Sequence, residues 1–245
     1  MNALIVGGAS GVGLSVATLL SLREDVEKVV VVDRSPVREE FLTPKMESVL
    51  FDLTEENYAV FDRFPETNLL FVTAGFGRLA LFEDVQEEEI ARYFQVNTIP
   101  AMRIIHHFYD QLLGKEDFHC GVMVSIAGFM TSPFFSLYGA SKAALKIFIE
   151  SVNVELEKAG SSNRILNVSP GSIKGTGFYK GETDLSMLKP LSEQIIAHLL
   201  AKDDLFIPQY DEVFHTVLER YHADFREEGR HSYDYKAASG RMKKG

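Results

Sequence analysis

The sequence contains little cysteine and no long apolar segment. Cys120 is the only cysteine among 245 residues, which excludes a disulfide framework and a metal site built from cysteines. No apolar run approaches the roughly 18 residues that a membrane-spanning helix needs, and the first residues lack the features of a secretory signal. His106 and His107 have no acidic or cysteine partner at ligand spacing, so no metal site is expected. We therefore expect a soluble protein in a reducing, cytoplasmic environment.

Basic residues are also in deficit, since 35 acidic residues oppose 25 basic ones and give a formal net charge of −10. An acidic surface repels nucleic-acid phosphates and anionic lipids, so neither nucleic acid nor membrane is expected as a partner. Three basic residues, Arg241, Lys243 and Lys244, lie near the end of the chain. We expect them to belong to a solvated polar tail over residues 226–245.

Apolar segments alternate with amphipathic ones along most of the chain. Seven apolar segments are predicted to be strands, at residues 2–6, 27–33, 49–52, 68–75, 121–125, 164–168 and 205–208. Helices are predicted at residues 14–20, 55–64, 86–97, 101–113, 137–157 and 211–221. This alternation is typical of an α/β fold of the Rossmann type. We expect a doubly wound, mostly parallel sheet of about seven strands between two layers of helices, within a single domain over residues 1–225.

A glycine-rich loop, Gly7-x-x-x-Gly11-x-Gly13, joins the first strand to the first helix. Glycines allow a sharp turn and a close approach to a pyrophosphate, whose charge is met by the helix N-terminus. Asp33 ends the next strand, where a carboxylate can accept hydrogen bonds from an adenosine ribose. An Asp here also repels a 2′-phosphate, which favours NAD over NADP, although Arg34 keeps NADP open. The alternative is that Asp33 only caps the segment that follows it.

Tyr138 and Lys142 lie four residues apart at the start of the predicted helix 137–157, so they share one face. An ammonium beside a phenol lowers the phenol's pKa, which suits a tyrosine that exchanges protons near neutral pH. Ser125, at the end of the fifth strand, is placed to hold a carbonyl or hydroxyl oxygen against that phenol. A Tyr-x-x-x-Lys pair also arises readily by chance in a chain with nine tyrosines, so its surroundings decide its meaning.

Together, these motifs resemble the short-chain dehydrogenase/reductase superfamily in its compact single-domain branch, over about residues 3–176. The resemblance implies that Tyr138 is the general acid/base and that Lys142 lowers its pKa and holds the nicotinamide ribose. It also implies that Ser125 orients the substrate oxygen and that Asn97 continues a proton relay through water. The cofactor-contacting positions of the family fall on Gly7, Ser10, Gly11, Val12, Gly13, Asp33, Arg34, Asp52, Leu53, Ala74, Gly75, Tyr138, Lys142, Pro170, Gly171, Ile173 and Thr176.

Three parts of the chain depart from the family's pattern. Thr73 stands where the family usually has an Asn that ties neighbouring strands together. Gly175 stands where a Thr is usual, which moves the hydroxyl to Thr176. The segment after residue 205 lacks the ending that packs a tetramer in relatives, so a homodimer through helices around 101–113 and 137–157 is expected instead.

The resemblance implies an NAD-dependent oxidoreductase that acts on a small carbonyl or secondary alcohol, the hydride coming from the cofactor. Residues 174–191 would then close over the substrate, although the same composition suits a surface loop. Ala127, Phe129 and Phe135 are expected to form an apolar wall beside the substrate. The alternative is a catalytically weak, cofactor-binding regulatory or interaction protein on the same fold. An extended sugar-nucleotide enzyme fits less well, because its glycine spacing differs.

Overall fold

The computed structural model describes residues 1–176, 178 and 182–239. Within them, the strands form one sheet in the order β3-β2-β1-β4-β5-β6-β7, with parallel pairing throughout. The strands are β1 Asn2–Val6, β2 Lys28–Asp33, β3 Met46–Leu50, β4 Leu69–Val72, β5 His119–Met123, β6 Ile165–Val168 and β7 Leu205–Phe206. The predicted seven-stranded parallel sheet is therefore confirmed.

Helices cover both faces of the sheet. They are α1 Gly11–Ser21, α2 Glu87–Asn97, α3 Ile99–His107, α4 Tyr109–Leu113, α5 Ser136–Lys158, α6 Leu185–Ala201, α7 His215–Ala223 and α8 Phe225–Ala238. Alternate residues of each strand point to opposite faces. In β1, Leu4 belongs to a core shared with α3, α4 and α5, whereas Ile5 belongs to a core shared with α1 and α6. This arrangement confirms the expected three-layer α/β fold.

The strand order reverses between β1 and β4, which pair directly although β2 and β3 separate them in the chain. Because all strands are parallel, their carboxyl ends meet at one edge of the sheet. The loops that follow β1, β4 and β5 therefore converge at this edge. In open α/β sheets, this is where ligands bind.

Two predicted helices differ from those in the structure. The segment predicted as a helix at 55–64 contains only a short 3-10 helix, Ala59–Arg63. The Asn57 side chain accepts a hydrogen bond from the Ala59 amide, and such local bonds compete with a helix. The predicted helix 101–113 is divided into α3 and α4, because Phe108 leaves helical geometry with a φ of −98° and a ψ of 16°.

The C-terminal segment is helical where a polar tail was expected. A π-helical turn, Tyr210–Phe214, leads into α7, and α8 occupies most of the segment predicted as a tail. Asp224 caps α8 by accepting hydrogen bonds from the amides of Arg226 and Glu227. This helix was not predicted because its buried face includes Glu228 and other polar side chains, so the sequence shows no apolar periodicity there. The basic residues Arg241, Lys243 and Lys244 lie outside the described residues.

Candidate active site

The glycine loop packs tightly against the end of β4. Gly7 has a φ of +84°, and a Cβ on it would lie 2.4 Å from the amide nitrogen of Ala74. A Cβ on Gly13 would lie 2.4 Å from the carbonyl oxygen of Gly7. The Thr73 hydroxyl donates to that same carbonyl at 2.7 Å. Thr73 therefore provides a direct tie between the loops after β1 and β4, the role that the family's Asn was expected to have.

The N-terminus of α1 faces the segment before α6. Ser10 occupies the N-cap position, but its side chain makes no capping hydrogen bond. The Gly11 amide instead donates to the Thr183 hydroxyl at 2.9 Å. Thr176 lies beside Gly11 and turns its own hydroxyl back to the carbonyl of Ile173, at 2.9 Å. Free amides and the positive end of the helix dipole make such a terminus suited to an anion.

The predicted substrate-closing segment, residues 174–191, is only partly described. Residues 177 and 179–181 lie outside the described part of the chain. The second half of the segment belongs to α6, which begins at Leu185 after a cap by Asp184. Phe178 packs against the catalytic candidate Tyr138, with ring centres 5.4 Å apart.

Two carboxylates lie at the carboxyl ends of β2 and β3: Asp33 is the last residue of β2, and Asp52 follows β3. Asp33 accepts hydrogen bonds from the amides of Ala9 and Ser35, at 3.0 and 3.1 Å. It thus braces the glycine loop and caps the segment that follows β2, which is the second of the two interpretations of Asp33. The ribose-binding role stays a prediction. Asp52 accepts from the amide and the hydroxyl of Thr54, and these bonds lower the pKa of its carboxyl. Arg34 next to Asp33 is exposed, and Leu53 packs against the core.

Asn97 connects three elements at the end of α2. Its side-chain oxygen accepts from the Phe76 amide at 2.9 Å, and its nitrogen donates to the Phe76 carbonyl at 2.8 Å. The same nitrogen donates to the Ser141 hydroxyl on α5 at 3.2 Å. The backbone leaves helical geometry at Thr98, with a φ of −122° and a ψ of −62°. The dihedral angles of Thr98 therefore separate α2 from α3, although its amide still donates to the Phe94 carbonyl at 3.1 Å.

Lys142 and Tyr138 lie one turn apart on α5, as their spacing predicts. Lys142 Nζ lies 5.9 Å from the centre of the Tyr138 ring and donates to the Met123 carbonyl at 2.7 Å. A Cβ on Gly75 would lie 3.4 Å from both Lys142 Nζ and Asn97 Oδ1. The amine, the Asn97 side chain and the loop after β4 therefore meet at one place.

Ser125 completes this group from the end of β5. It is buried, its hydroxyl accepts a hydrogen bond from the Ala127 amide at 3.2 Å, and it also bonds to Tyr138. The structure thus brings together all four predicted catalytic residues: Asn97, Ser125, Tyr138 and Lys142.

The protonation of Tyr138 and Lys142 differs from the expectation. Burial raises the pKa of the Tyr138 phenol to about 12, although its hydrogen bond with Ser125 acts in the opposite direction. Burial also lowers the pKa of Lys142 to about 7. An amine with a pKa of about 7 is only about half charged at pH 7, so it stabilises a phenolate less than a fully protonated lysine would. The expected lowering of the phenol pKa therefore does not hold in this structure.

The loop after β6 reaches the same edge of the sheet. The Ile126 amide donates to the Pro170 carbonyl at 3.1 Å, which joins this loop to the Ser125 segment. A Cβ on Gly171 would lie 2.6 Å from the ring of Phe214, in the π-helical turn. Phe214 thus packs directly on the predicted Pro170-Gly171 cofactor contact. The sequence analysis did not identify Phe214 or Thr183 as site residues. Both are far in the sequence from most of the predicted site, so no short-range pattern connects them to it.

A small cavity opens beside Tyr138. Its lining is Arg78, Ala80, Val85, Glu89, Tyr93, Phe134, Phe135, Ser136, Leu137 and Tyr138. Phe135 is among these lining residues, and its ring centre lies 5.3 Å from that of Tyr138. The predicted wall residues Ala127 and Phe129 are not among the residues that line it. Arg78 forms a two-point ion pair with Glu89 at the rim, which lowers the pKa of the Glu89 carboxyl to about 2.

In the described part of the chain, no group of three or more His, Cys, Asp or Glu side chains is arranged to hold a metal ion. The helices over the same residues are also too short or too polar for any of them to cross a membrane.

Comparison with known proteins now identifies the family. A sequence profile described as short chain dehydrogenase matches residues 1–184. The chain belongs to the short-chain dehydrogenase family. Among curated relatives, an uncharacterized oxidoreductase of Bacillus subtilis, YvaG, is 29% identical over 200 residues, which are 77% of this chain and 73% of that protein. An uncharacterized oxidoreductase of Saccharomyces cerevisiae is 28% identical over 77% of this chain and 65% of its own length.

Solved structures of this family have the same fold. A short-chain dehydrogenase/reductase from Burkholderia phymatum, solved in complex with NAD, superposes with a TM-score of 0.77 at 19% identity and covers 93% of this chain and 94% of its own. A short-chain dehydrogenase from Streptomyces avermitilis gives a TM-score of 0.75 at 19% identity, over 96% and 99% of the two chains. At these identities the likeness concerns the fold alone.

Replacing Lys142 by Met should change how stability depends on pH. The pKa of Lys142 is 10.5 in the unfolded chain and about 7 when folded, so between these values the unfolded state binds one more proton. The free energy of unfolding of the wild type should therefore rise with pH relative to Lys142→Met, by about 1 kcal/mol per pH unit. Urea unfolding at several pH values between 7 and 10 measures this slope.

The control for this measurement is Lys146→Met, one turn further along α5, where the lysine is paired with Glu150. Its slope should match that of the wild type. Equal slopes for Lys142→Met and the wild type would show that Lys142 stays charged when folded.

Proposed function

We propose that this chain is an NAD(P)-dependent oxidoreductase that transfers hydride between a nicotinamide cofactor and a carbonyl or secondary alcohol. The observation that carries the proposal is the meeting of Asn97, Ser125, Tyr138 and Lys142 at the carboxyl edge of the sheet, beside the glycine loop. The Ser125 hydroxyl forms a hydrogen bond with Tyr138, and the Lys142 amine lies 5.9 Å from the centre of the Tyr138 ring. A water molecule between the amine and the phenol would complete a path along which protons can move. The names of the curated relatives, which call them oxidoreductases, support the same reaction class.

The described residues suit a dinucleotide. The α1 terminus lacks a side-chain cap and carries no acidic residue in its first turn, so its charge favours a pyrophosphate near Ser10, Gly11 and Val12. Asp33 lies at the end of β2 with acceptor capacity for a ribose, and Asp52 lies in the neighbouring loop. The nicotinamide end would lie between Ala74, Gly75, Pro170, Gly171, Ile173 and Lys142. Thr183 would have to release the Gly11 amide when a phosphate binds there.

The cofactor would supply or accept the hydride when bound. Tyr138 would give a proton to the carbonyl oxygen during reduction and take one from the hydroxyl during oxidation. Ser125 would hold that oxygen against the phenol. Lys142 would pass protons between Tyr138 and a water held at the break after Asn97.

Ionisation of the phenol requires a change from the present arrangement. Burial raises its pKa, and the Phe178 ring packs against it. A fully charged Lys142 and an opened Phe178 contact would both favour the phenolate. This covered phenol also favours the second candidate function, a cofactor-binding regulatory protein with little turnover. Intact proton-relay residues support the enzyme more strongly, because a binding protein does not need them.

Tyr138→Phe should lower kcat by about a hundredfold to ten-thousandfold, since it removes the proton that general acid catalysis transfers. NADH binding, followed by its fluorescence, should remain unchanged because the ring is kept. The assay is nicotinamide absorbance with a panel of carbonyls and secondary alcohols. Full activity in this variant would contradict the assigned mechanism, whereas NADH binding without any turnover in the wild type would favour the regulatory alternative.

NAD should raise the melting temperature more than NADP, because the Asp33 carboxylate repels a 2′-phosphate. Asp33→Asn should remove this discrimination while it keeps the acceptor oxygen for the Ala9 amide. Thermal shifts relative to each protein without ligand measure the effect. The control is Glu24→Ala, an exposed carboxylate away from the loop, which should behave like the wild type. Greater stabilisation of the wild type by NADP would overturn this role of Asp33.

We also propose a homodimer through the face of α5, together with α3 and α4, in a cytoplasmic setting. Ile147 and Val154 lie two turns apart on one face of α5 and are 58% and 56% exposed. Leu113 at the end of α4 is also exposed.

The double variant Ile147→Glu and Val154→Glu should shift the protein from dimer to monomer, because it buries charge in the interface. Sedimentation velocity at micromolar concentration measures this against the monomer mass of 27.5 kDa. Leu22→Glu, at a residue 70% exposed after α1, serves as the control and should leave the dimer intact. A wild-type monomer would contradict the proposal.

A further inference from the structure

The C-terminal helix α8 packs on the segment that forms one wall of the candidate substrate cavity. This wall segment, residues 131–135, lies between Ser125 and Tyr138 in the chain. Lys236 of α8 donates to the Ser132 hydroxyl at 2.7 Å and to the Pro133 carbonyl at 3.0 Å. Its ammonium also lies 5.5 Å from the centre of the Phe135 ring. Lys236 is only 8% exposed, so these contacts are made away from bulk water.

Further contacts hold the same wall segment to α8. The Thr131 hydroxyl donates to the Phe225 carbonyl at the start of α8, at 3.0 Å. The Tyr233 ring packs on the Phe134 ring, with centres 4.6 Å apart. The wall segment is therefore held along its length by one helix from a distant part of the chain.

The wall segment has a conformation that needs such support. Phe134 has a φ of +66°, in the left-handed region that a non-glycine residue rarely adopts. The Phe134 carbonyl accepts a hydrogen bond from the Ala80 amide at 3.0 Å, and both residues line the cavity. This conformation directs Phe134 and Phe135 to positions where both line the cavity beside Tyr138.

The α8 helix is itself fixed to α7. Arg220 of α7 donates to the Glu228 carboxylate of α8 at 2.7 Å, and Glu228 is only 4% exposed. The neighbouring π-helical turn carries Phe214, which packs on Gly171. The C-terminal segment thus contacts both the substrate wall and the loop after β6.

From these contacts we propose that α8 is part of the substrate site and that Lys236 is a positioning residue for the wall formed by Phe134 and Phe135. This inference rests on the proposed function, because it assigns the cavity beside Tyr138 to the substrate. Lys236 touches no reacting atom and acts through the Ser132 hydroxyl and the Pro133 carbonyl. The cavity measures about 10 Å³, room for one water molecule, so the Phe178 ring would have to leave Tyr138 before a substrate enters. The apolar part of the substrate would then lie against the two Phe rings, and its reacting oxygen would point to Tyr138.

The experiment compares Lys236→Met, which removes the donors but keeps the chain length, with Lys236→Arg, which keeps donors. Its matched control is Lys158→Met, because Lys158 also lies in the last turn of a helix but is exposed. Hydrogen exchange of residues 129–138 should become about tenfold faster in Lys236→Met, through local opening, while exchange in the glycine loop stays unchanged. Lys236→Arg should restore most of the protection.

Kinetics on the same proteins test the substrate side. Lys236→Met should lower kcat/KM about a hundredfold, mainly through KM, since misplaced walls cost orientation of the substrate. NADH binding should stay at the wild-type value. Tyr233→Ala offers a second variant if Lys236→Met does not fold, because Tyr233 is partly exposed and its removal loosens only the Phe134 contact. It should show the same local change in exchange.

Exchange in residues 129–138 that matches the control, or that rises equally along the whole chain, would overturn the proposal. Faster local exchange with unchanged KM in an active enzyme would also overturn it, because α8 would then be a structural support only. If no substrate of the panel is turned over by the wild type, the proposed function has failed. The exchange result would then still decide whether Lys236 holds the wall segment.

Discussion

The direct pairing of β1 with β4 is the constraint on which the candidate site depends. It places the glycine loop next to the loop after β4, and the fit leaves no space for a side chain on Gly7. Thr73 strengthens this pairing at its end through the Gly7 carbonyl. Asn97 then fixes the continuation of the β4 loop to α5 through Phe76 and Ser141. Together, these contacts fix the position of Lys142 and Tyr138 relative to the strands of the sheet.

Much of this arrangement was predictable, because it depends on the types and spacing of residues that are close together in the sequence. The valine-rich β2, the glycine spacing and the four-residue separation of Tyr138 and Lys142 each report local geometry directly. The short 3-10 helix at Ala59–Arg63 was not predictable from apolar spacing, since competition by the Asn57 side chain is a local polar effect. The contact of α8 with the wall segment was not predictable for another reason. Lys236 and Ser132 are 104 residues apart, and no local pattern connects them.

The same distinction applies to the electrostatics of the site. Spacing correctly places an amine near a phenol, but their pKa values depend on how much water each group loses when the whole domain packs. The sheet edge, Phe135 and Phe178 all exclude water from Tyr138, and none of this is visible from the Tyr-x-x-x-Lys pattern. The burial of Lys142 is likewise a property of the assembled fold. The proximity of Tyr138 and Lys142 could therefore be predicted from the sequence, but their protonation states could not.

The contact between α8 and the wall segment also bears on the order in which the protein is made. A ribosome synthesises residues 131–135 about a hundred positions before it reaches Lys236, so the wall has no α8 to pack against during that interval. The strands from β1 to β6 can pair before α8 is complete, because they leave the ribosome first. The left-handed conformation at Phe134 would then be adopted late, after the closure of a long loop. The contact between α8 and the wall segment would accordingly form after the strands from β1 to β6 have paired.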